Sequence, residues 1–400
     1  MNIILFDDQE RTSLLPLCFT RPCGDLRVGI LTLKEKWQKL SGGAVSFLTQ
    51  DYLQDKFPIV LNREKNYYIN GRILPTQALL NEISSLDNGE SLISNDGFLL
   101  GFKSNSSKTI ENLDKIERSK VSKHSFDTIS NCYNIFSLND QEIRSDFELL
   151  TKNRTSAKLS NSNTAIGSNL FIEEGATVEG TILNSSTGPI YIGKGAEIME
   201  GAVIRGPFAL CENATIKMGA KIYGATTVGP QCKVGGEISN VMFYGHSNKG
   251  HDGFVGNSVI GEWCNIGADT NCSNLKNNYA PVKLWNYSTK RFSPTGLQFC
   301  GMIMGDHSKC GINTMFNTGT VVGVSTNIFG SGFPRNFVPS FTWGGSSGFS
   351  TYSQGKAFDT ASKVMERRKL ELTDQEINIL KNIFETSSEF RIWENKPLKT

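Results

Sequence analysis

Between Ile192 and Ile238 an aliphatic residue falls at every sixth position: Ile192, Ile198, Ile204, Leu210, Ile216, Ile222, Val228 and Val234. Four residues after each stands Ala196, Ala202, Phe208, Ala214, Ala220, Thr226, Cys232 or Ile238, mostly small. Neither the 3.6-residue period of a helix nor the two-residue period of one long strand produces this spacing. A six-residue repeat belongs to a parallel β-helix, in which each hexad supplies one flat face and three make a coil. The aliphatic residue points into the column and the small one lets the adjoining corner close. Coils must stack, because one alone cannot bury its own core.

Weaker hexads precede this run at Ile166, Ile172 and Val178, and the register pauses through residues 184–189. It breaks again at 243–256, resumes at Ile260 and Ile266, and is interrupted by 273–299, rich in Asn, Lys and aromatics. It returns at Met304, Cys310, Phe316 and Val322, with Ser308, Thr314, Thr320 and Thr326 at the small position, and ends beyond Pro339. Residues 354–370 read as a helix. Thr373 with Glu376 forms a capping box before a second, whose Ile377, Leu380, Ile383 and Phe384 share a face. This tail is expected to cap the last coil or to pack on a neighbouring subunit. Residues 1–150 carry no hexads. Strands are expected at Asn2–Phe6, Val45–Thr49 and Tyr67–Asn70, with helices from Gly29 to Leu40 and from Thr76 to Ser84, an alternation that predicts an α/β domain. The polar stretch 151–163 is the expected junction. The division is therefore 1–155, then a β-helix over 160–340, then a helical extension over 345–400.

Four hundred residues with 38% apolar content suffice for more than one core. A formal net charge of +2 argues against a nucleic-acid or membrane-surface partner. No apolar run approaches the roughly 18 residues of a membrane span. The acidic start MNIILFDDQER lacks a secretory pattern, so a soluble, cytoplasmic protein is expected. Nine cysteines with no CxxC pair indicate neither a zinc site nor a disulfide framework.

A stacked column has no deep pocket, so chemistry belongs to the chain thrown out of it and to clefts beside it. The 243–256 break carries His246 and His251, two of four histidines, and imidazole suits proton transfer near neutral pH. The run Lys249-Gly250-His251-Asp252-Gly253-Phe254-Val255-Gly256, continued by Cys264-Asn265-Ile266-Gly267-Ala268-Asp269-Thr270 and Asn274, resembles the acetyltransferase half of the bifunctional GlmU family. The resemblance implies a left-handed β-helix, a homotrimer, and acyl transfer from acetyl-CoA or another acyl-CoA to an amino sugar phosphate. On it, His251 is the catalytic base, Asn274 and Asn265 are active-site asparagines, Phe254 is the site's aromatic, and Ala268 contacts the acyl-CoA through its backbone. Phe254 replaces the usual Tyr and so cannot donate a hydrogen bond. Ser239 stands at an expected Lys position, with Lys221 and Lys249 as substitutes. The spacing of His246, His251 and His307 does not suit the three-histidine metal site of the γ-type carbonic anhydrases.

The N-terminal stretch resembles sugar-1-phosphate nucleotidyltransferases, whose fold is Rossmann-like. Ile3-Ile4-Leu5-Phe6, Arg11, Leu14-Leu15-Pro16-Leu17 and Thr20-Arg21-Pro22 follow their signature. The Gly-rich turn is replaced by Asp7–Glu10, Cys23 stands at the Lys position, and Arg72 stands where the metal-binding Asp belongs. Arg11, Arg21 and Arg27 are then the nucleotide-binding residues. The resemblance allows Mg2+, the family's C-terminal metal-site Asn falling on Asn134 or Asn139. Three readings follow: a GlmU-like transferase with both halves at work, a nucleotidyltransferase whose β-helix only oligomerises, and a non-enzymatic sugar-nucleotide sensor.

Overall fold

The computed structural model describes residues 1–63, 65–105, 108, 110, 113 and 118–394. They form two compact units, Met1–Arg27 with Leu31–Asn131, and Val28–Ile30 with Cys132–Thr400. The segment after Cys132 therefore clusters with the repeats.

The first unit is built on a six-stranded mixed sheet. Strand β1 (Asn2–Phe6) lies between β2 (Ala44–Leu48) and β3 (Asn66–Asn70), parallel to both. Beyond β3 come β5 (Leu99–Ser104) and β4 (Glu90–Ile93), antiparallel to one another, and then β6 (Arg118–Val121). All five residues of β1 are buried, as a strand covered on both faces requires. The first helix runs Leu33–Ser41 rather than from Gly29. Gly29 has φ +80° and Thr32 is extended, freeing the Thr32 side chain to cap Glu35 N in a reciprocal capping box. The second runs Gln77–Ser84 with Thr76 as its N-cap.

The second unit is the column the hexads predict. Ile198 pairs with Ile216, and Ile216 with Val234, at steps of 18 residues (216 − 198 and 234 − 216). The pairing continues to Lys249, so the step is 15 residues (249 − 234) where the hexad count fails. The aliphatic and small positions from Ile192 to Ile238 lie in one core cluster, apart from Thr226, which is buried beside it. The start differs: Leu183 pairs with Ala165, which leaves Ile166 on the outside. Buried hydroxyls at the later small positions tie coil to coil, as Ser308 Oγ donates to Gly323 O at 2.6 Å and Ser247 Oγ to Gly261 O at 2.6 Å. Each leaves a backbone carbonyl satisfied inside the column.

Corners are taken in left-handed backbone by a file of non-glycine residues, Gln231, His246, Trp263, His307, Ser325 and Phe341, with φ between +53° and +63°. His246 stacks on Trp263 at 4.0 Å, which is its role here. The 273–299 excursion holds an antiparallel hairpin, Lys283–Asn286 with Arg291–Pro294, and Trp285 stacks on Phe337 at 4.2 Å. The register resumes beyond it, with Ile266 paired to Cys310.

The tail caps the last coil of its own chain. Strand Gly348–Thr351 folds back on Thr342–Gly345, and helices Gln354–Glu366 and Asp374–Thr386 follow. Phe341 is fully buried, with Phe384 at 5.0 Å. The Thr373–Glu376 capping box is formed.

Candidate functional site

In the column, the three residues after each inward position form one corner, and four successive corners make a cleft. Lys217-Met218 follow Ile216, Gly236 is the second residue after Val234, Gly250-His251-Asp252 follow Lys249, and Ala268-Asp269 come after Ile266. These eight residues line a recess of about 520 Å3. A Cβ added at Gly250 would meet nothing within 4 Å, so the recess is open there. His251 is exposed and its imidazole makes no hydrogen bond among the described residues. His251 and Ala268 therefore share one cleft. Lys217, Met218, Asp252 and Asp269 are additional lining residues. Aligning the chain by coil, on the residue that precedes Gly235, Gly250 and Gly267, would have found them.

A second pair meets one strand further on. The Phe254 ring and the Asn274 amide both flank Gly256, where an added Cβ would lie 2.7 Å from Phe254 Cζ and 2.5 Å from Asn274 Nδ2. Asn274 Nδ2 donates to Asn257 Oδ1 at 2.8 Å, so its amide is held in one orientation. Asn265 is exposed on a different face, level with Asn248 and Lys309. Lys221 lies in another recess of about 660 Å3, with Arg205, Tyr223 and Asp140. Lys249 is not presented to a ligand at all. It is fully buried, and Nζ donates to the main-chain oxygens of His251 and Asp252. Burial pushes its ammonium down to about 8.

In the first unit, the ends of β1 and β3 open on a pocket of about 310 Å3, whose lining includes Asp8, Gln9, Glu10, Asn70 and Phe98. This is the crevice outside the carboxyl ends of strands where α/β sheets bind ligands. Arg72 closes on Asp8 with both branches, Nε to Oδ1 at 2.9 Å and Nη2 to Oδ2 at 2.5 Å, while Asn70 Nδ2 donates to the same carboxylate at 2.7 Å. Arg11 is buried, its guanidinium donating to Cys18 O and to Tyr52 Oη, with Nε 3.4 Å from Asp7. Arg21 is buried too, and Arg27 is half-buried, 3.7 Å from Glu35. These arginines do not converge on the pocket's lining. Asn139 braces the second unit, accepting from Gly29 N and donating to Ala225 O.

The residues at this pocket do not fit Mg2+. The carboxylate nearest the expected place is already neutralised by Arg72, and no group of three His, Cys, Asp or Glu could hold a metal among the described residues.

Comparison with known proteins finds relatives for separate parts of the chain. Residues 3–155 match the family model for sugar nucleotidyl transferase. Over 73 residues the chain is 42% identical to a bifunctional protein GlmU of Methanocaldococcus jannaschii, covering 18% of this chain and 17% of that protein. It is 26% identical over 164 residues to the uncharacterized acetyltransferase YaiX of Escherichia coli O6:K15:H31, covering 40% and 70%. Among solved structures, LpxA of Bacteroides fragilis, a UDP-N-acetylglucosamine acyltransferase, aligns at 14% identity over 60% of this chain and 87% of its own, with a TM-score of 0.27. No helix among the described residues is long and apolar enough to cross a membrane. The chain thus joins a segment similar to sugar nucleotidyl transferases, residues 3–155, to a parallel β-helix with a C-terminal helical cap, and over 73 residues it is similar to GlmU.

Proposed function

We propose that the β-helix transfers an acyl group from acyl-CoA, acetyl-CoA in the simplest case, to the amino group of a sugar phosphate or sugar nucleotide. The observation that carries this reading is the exposed, unbonded imidazole of His251 in the cleft that also contains Ala268. The acceptor nitrogen attacks the thioester carbonyl, an N–C bond forms, the C–S bond breaks, and CoA leaves as a thiolate that takes up the proton His251 has collected. The proton shed by the nitrogen passes to His251, because an amine cannot complete the attack while it keeps that proton. The Ala268 main chain borders the acyl donor, and the Asn274 amide, held by Asn257, offers a polar group to the acceptor. Phe254 supplies an apolar wall. Asn265 and Lys221, on other faces, serve long substrates or a neighbouring copy. A homotrimer fits the outward apolar pair Ile182 and Val203, in register on one face and each more than 40% exposed. Such residues are normally covered by a partner when they cluster.

The N-terminal unit binds the sugar or nucleoside part of the same substrate. Its pocket carries Gln9 and Glu10 beside the Arg72-paired Asp8 and none of Arg11, Arg21 and Arg27, a lining that suits hydroxyl groups better than a triphosphate. The Arg72–Asp8 pair favours binding over metal-assisted nucleotidyl transfer in this unit. Pyrophosphate exchange with any sugar-1-phosphate and nucleoside triphosphate would reverse that preference.

The test is thiol release from acetyl-CoA with glucosamine-1-phosphate and with amino sugar nucleotides. His251→Ala should lower kcat by about 100- to 10,000-fold, the usual weight of a general base. It should leave the melting temperature unchanged, since the side chain is exposed. Release that survives the substitution rejects His251 as the base.

A further inference from the structure

A lysine stands at a position of the column that elsewhere holds an aliphatic side chain. Val234, Lys249, Ile266, Cys310 and Ile328 occupy the inward place on successive coils of one face. Lys249 is wholly buried there. Burying an ammonium among aliphatic residues is costly unless it is paired or fully hydrogen-bonded. Its bonds are specific: Nζ reaches the carbonyl oxygens of His251 and Asp252, the latter at 2.7 Å. These are consecutive carbonyls of the corner that carries the imidazole. Asp252 also accepts, at its main-chain oxygen, from Asp269 N on the next coil. The corner is thus held from inside by the lysine and from above by the next coil.

We propose that Lys249 is a positioning residue: from inside the column its ammonium draws in the carbonyls of His251 and Asp252 and so sets the direction in which the His251 imidazole enters the cleft. The inference rests on the reading of His251 as the base, but its geometric part stands apart from activity. Turning either carbonyl outward rotates the adjoining peptide, and the Cα–Cβ bond of His251 turns with it. An aliphatic side chain here would leave two carbonyls facing an apolar interior, and the corner would relax toward solvent. The charged and titratable groups facing the ammonium are Asp252, Asp269 and the Cys310 thiol. The two carboxylates favour the charged form, and burial opposes it.

The experiment follows the His251 imidazole by 1H–13C NMR. The chain holds four histidines, so four ring signals are expected, assigned by single substitutions. Loss of the Lys249 proton near pH 8 should move the His251 signal with an inflection there, and leave the His124 signal unmoved. Lys249→Met, of similar volume, should abolish that inflection and displace or broaden the His251 signal. It should lower kcat at least tenfold, with KM for acetyl-CoA within twofold. A His251 signal that titrates identically in wild type and Lys249→Met overturns the proposal. The wild-type titration needs no variant, so a Lys249→Met chain that fails to fold leaves the proposal testable. If His251→Ala is inactive while Lys249→Met keeps both kcat and titration, this inference fails and the proposed function stands. If His251→Ala is fully active, the proposed function fails whatever Lys249 does.

Discussion

Replacing Arg72 with Leu and Asp8 with Asn, singly and together, tests whether the acidic pocket of the first unit is a neutralised site. Arg72 is 3% exposed and Asp8 22% at the side chain, so the pair is largely desolvated. Two hydrogen bonds join them, and the guanidinium also lies 5.2 Å from the Phe98 ring. Removing Arg72 strands a carboxylate that retains Asn70 and some solvent. Its cost should sit at the lower end of the about 3–5 kcal/mol seen when one partner of a buried pair is lost. Removing Asp8 strands the more deeply buried charge and should cost about the same. The double substitution removes both charges. It should therefore cost about 3 kcal/mol, where simple addition gives about 6 kcal/mol. The assay is urea unfolding read by amide-exchange protection in β1 and β3, which reports this unit alone. A double variant within about 0.5 kcal/mol of the sum of the singles would refute the coupling. In that case Asp8 is not tied up by Arg72, and the argument against a metal there loses its basis. A companion Arg72→Asp should acquire Mg2+-dependent thermal stabilisation that the parent lacks.

Gly229→Ala should prevent stable folding, because a Cβ there would lie 1.4 Å from Tyr244 O on the next coil; soluble yield and circular dichroism would show it, and a normally folded variant would contradict the stacking. Stability should also respond to pH through Lys249. Its folded value, pushed down to about 8, lies below the ordinary 10.5, so between those values the unfolded chain binds the extra proton. Unfolding free energy contributed by this group therefore rises with pH across that window, and Lys249→Met should flatten the slope in urea titrations.

Much of the column was legible because its period is unlike any other regular structure. Every inward residue from Ile192 to Ile238 lands in the core cluster, and the capping box at Thr373 is a local pattern that needs no tertiary help. Ile166 falls outside the rule because terminal coils lack a neighbour that enforces it: Ala165 takes the register of the buried Leu183, yet Ala165 and Ile166 are both exposed, Ile166 by 46%. Lys249 was hidden by the shortened 15-residue step, which takes it out of the hexad count and lets a buried lysine pass for a ligand contact. Arg11 looked like a phosphate contact from its place after β1. Its direction depends on Asp7, Cys18 and Tyr52, which no local pattern could place around it. His251 and Ala268 are brought together across coils 17 residues apart (268 − 251), a neighbourhood that follows once the coil, rather than the hexad, is taken as the unit.

The Phe341 seal has a consequence for how such a chain comes to maturity. Rungs can assemble as they leave the ribosome, yet the top rung keeps an unmet edge until Gly348–Thr351 folds back on it and the helices pack over Phe341. Synthesis that stops short, or a protease that trims those helices, would yield a stack able to recruit a stranger's strand. The closing helices therefore guard the end of the column against strands from other chains.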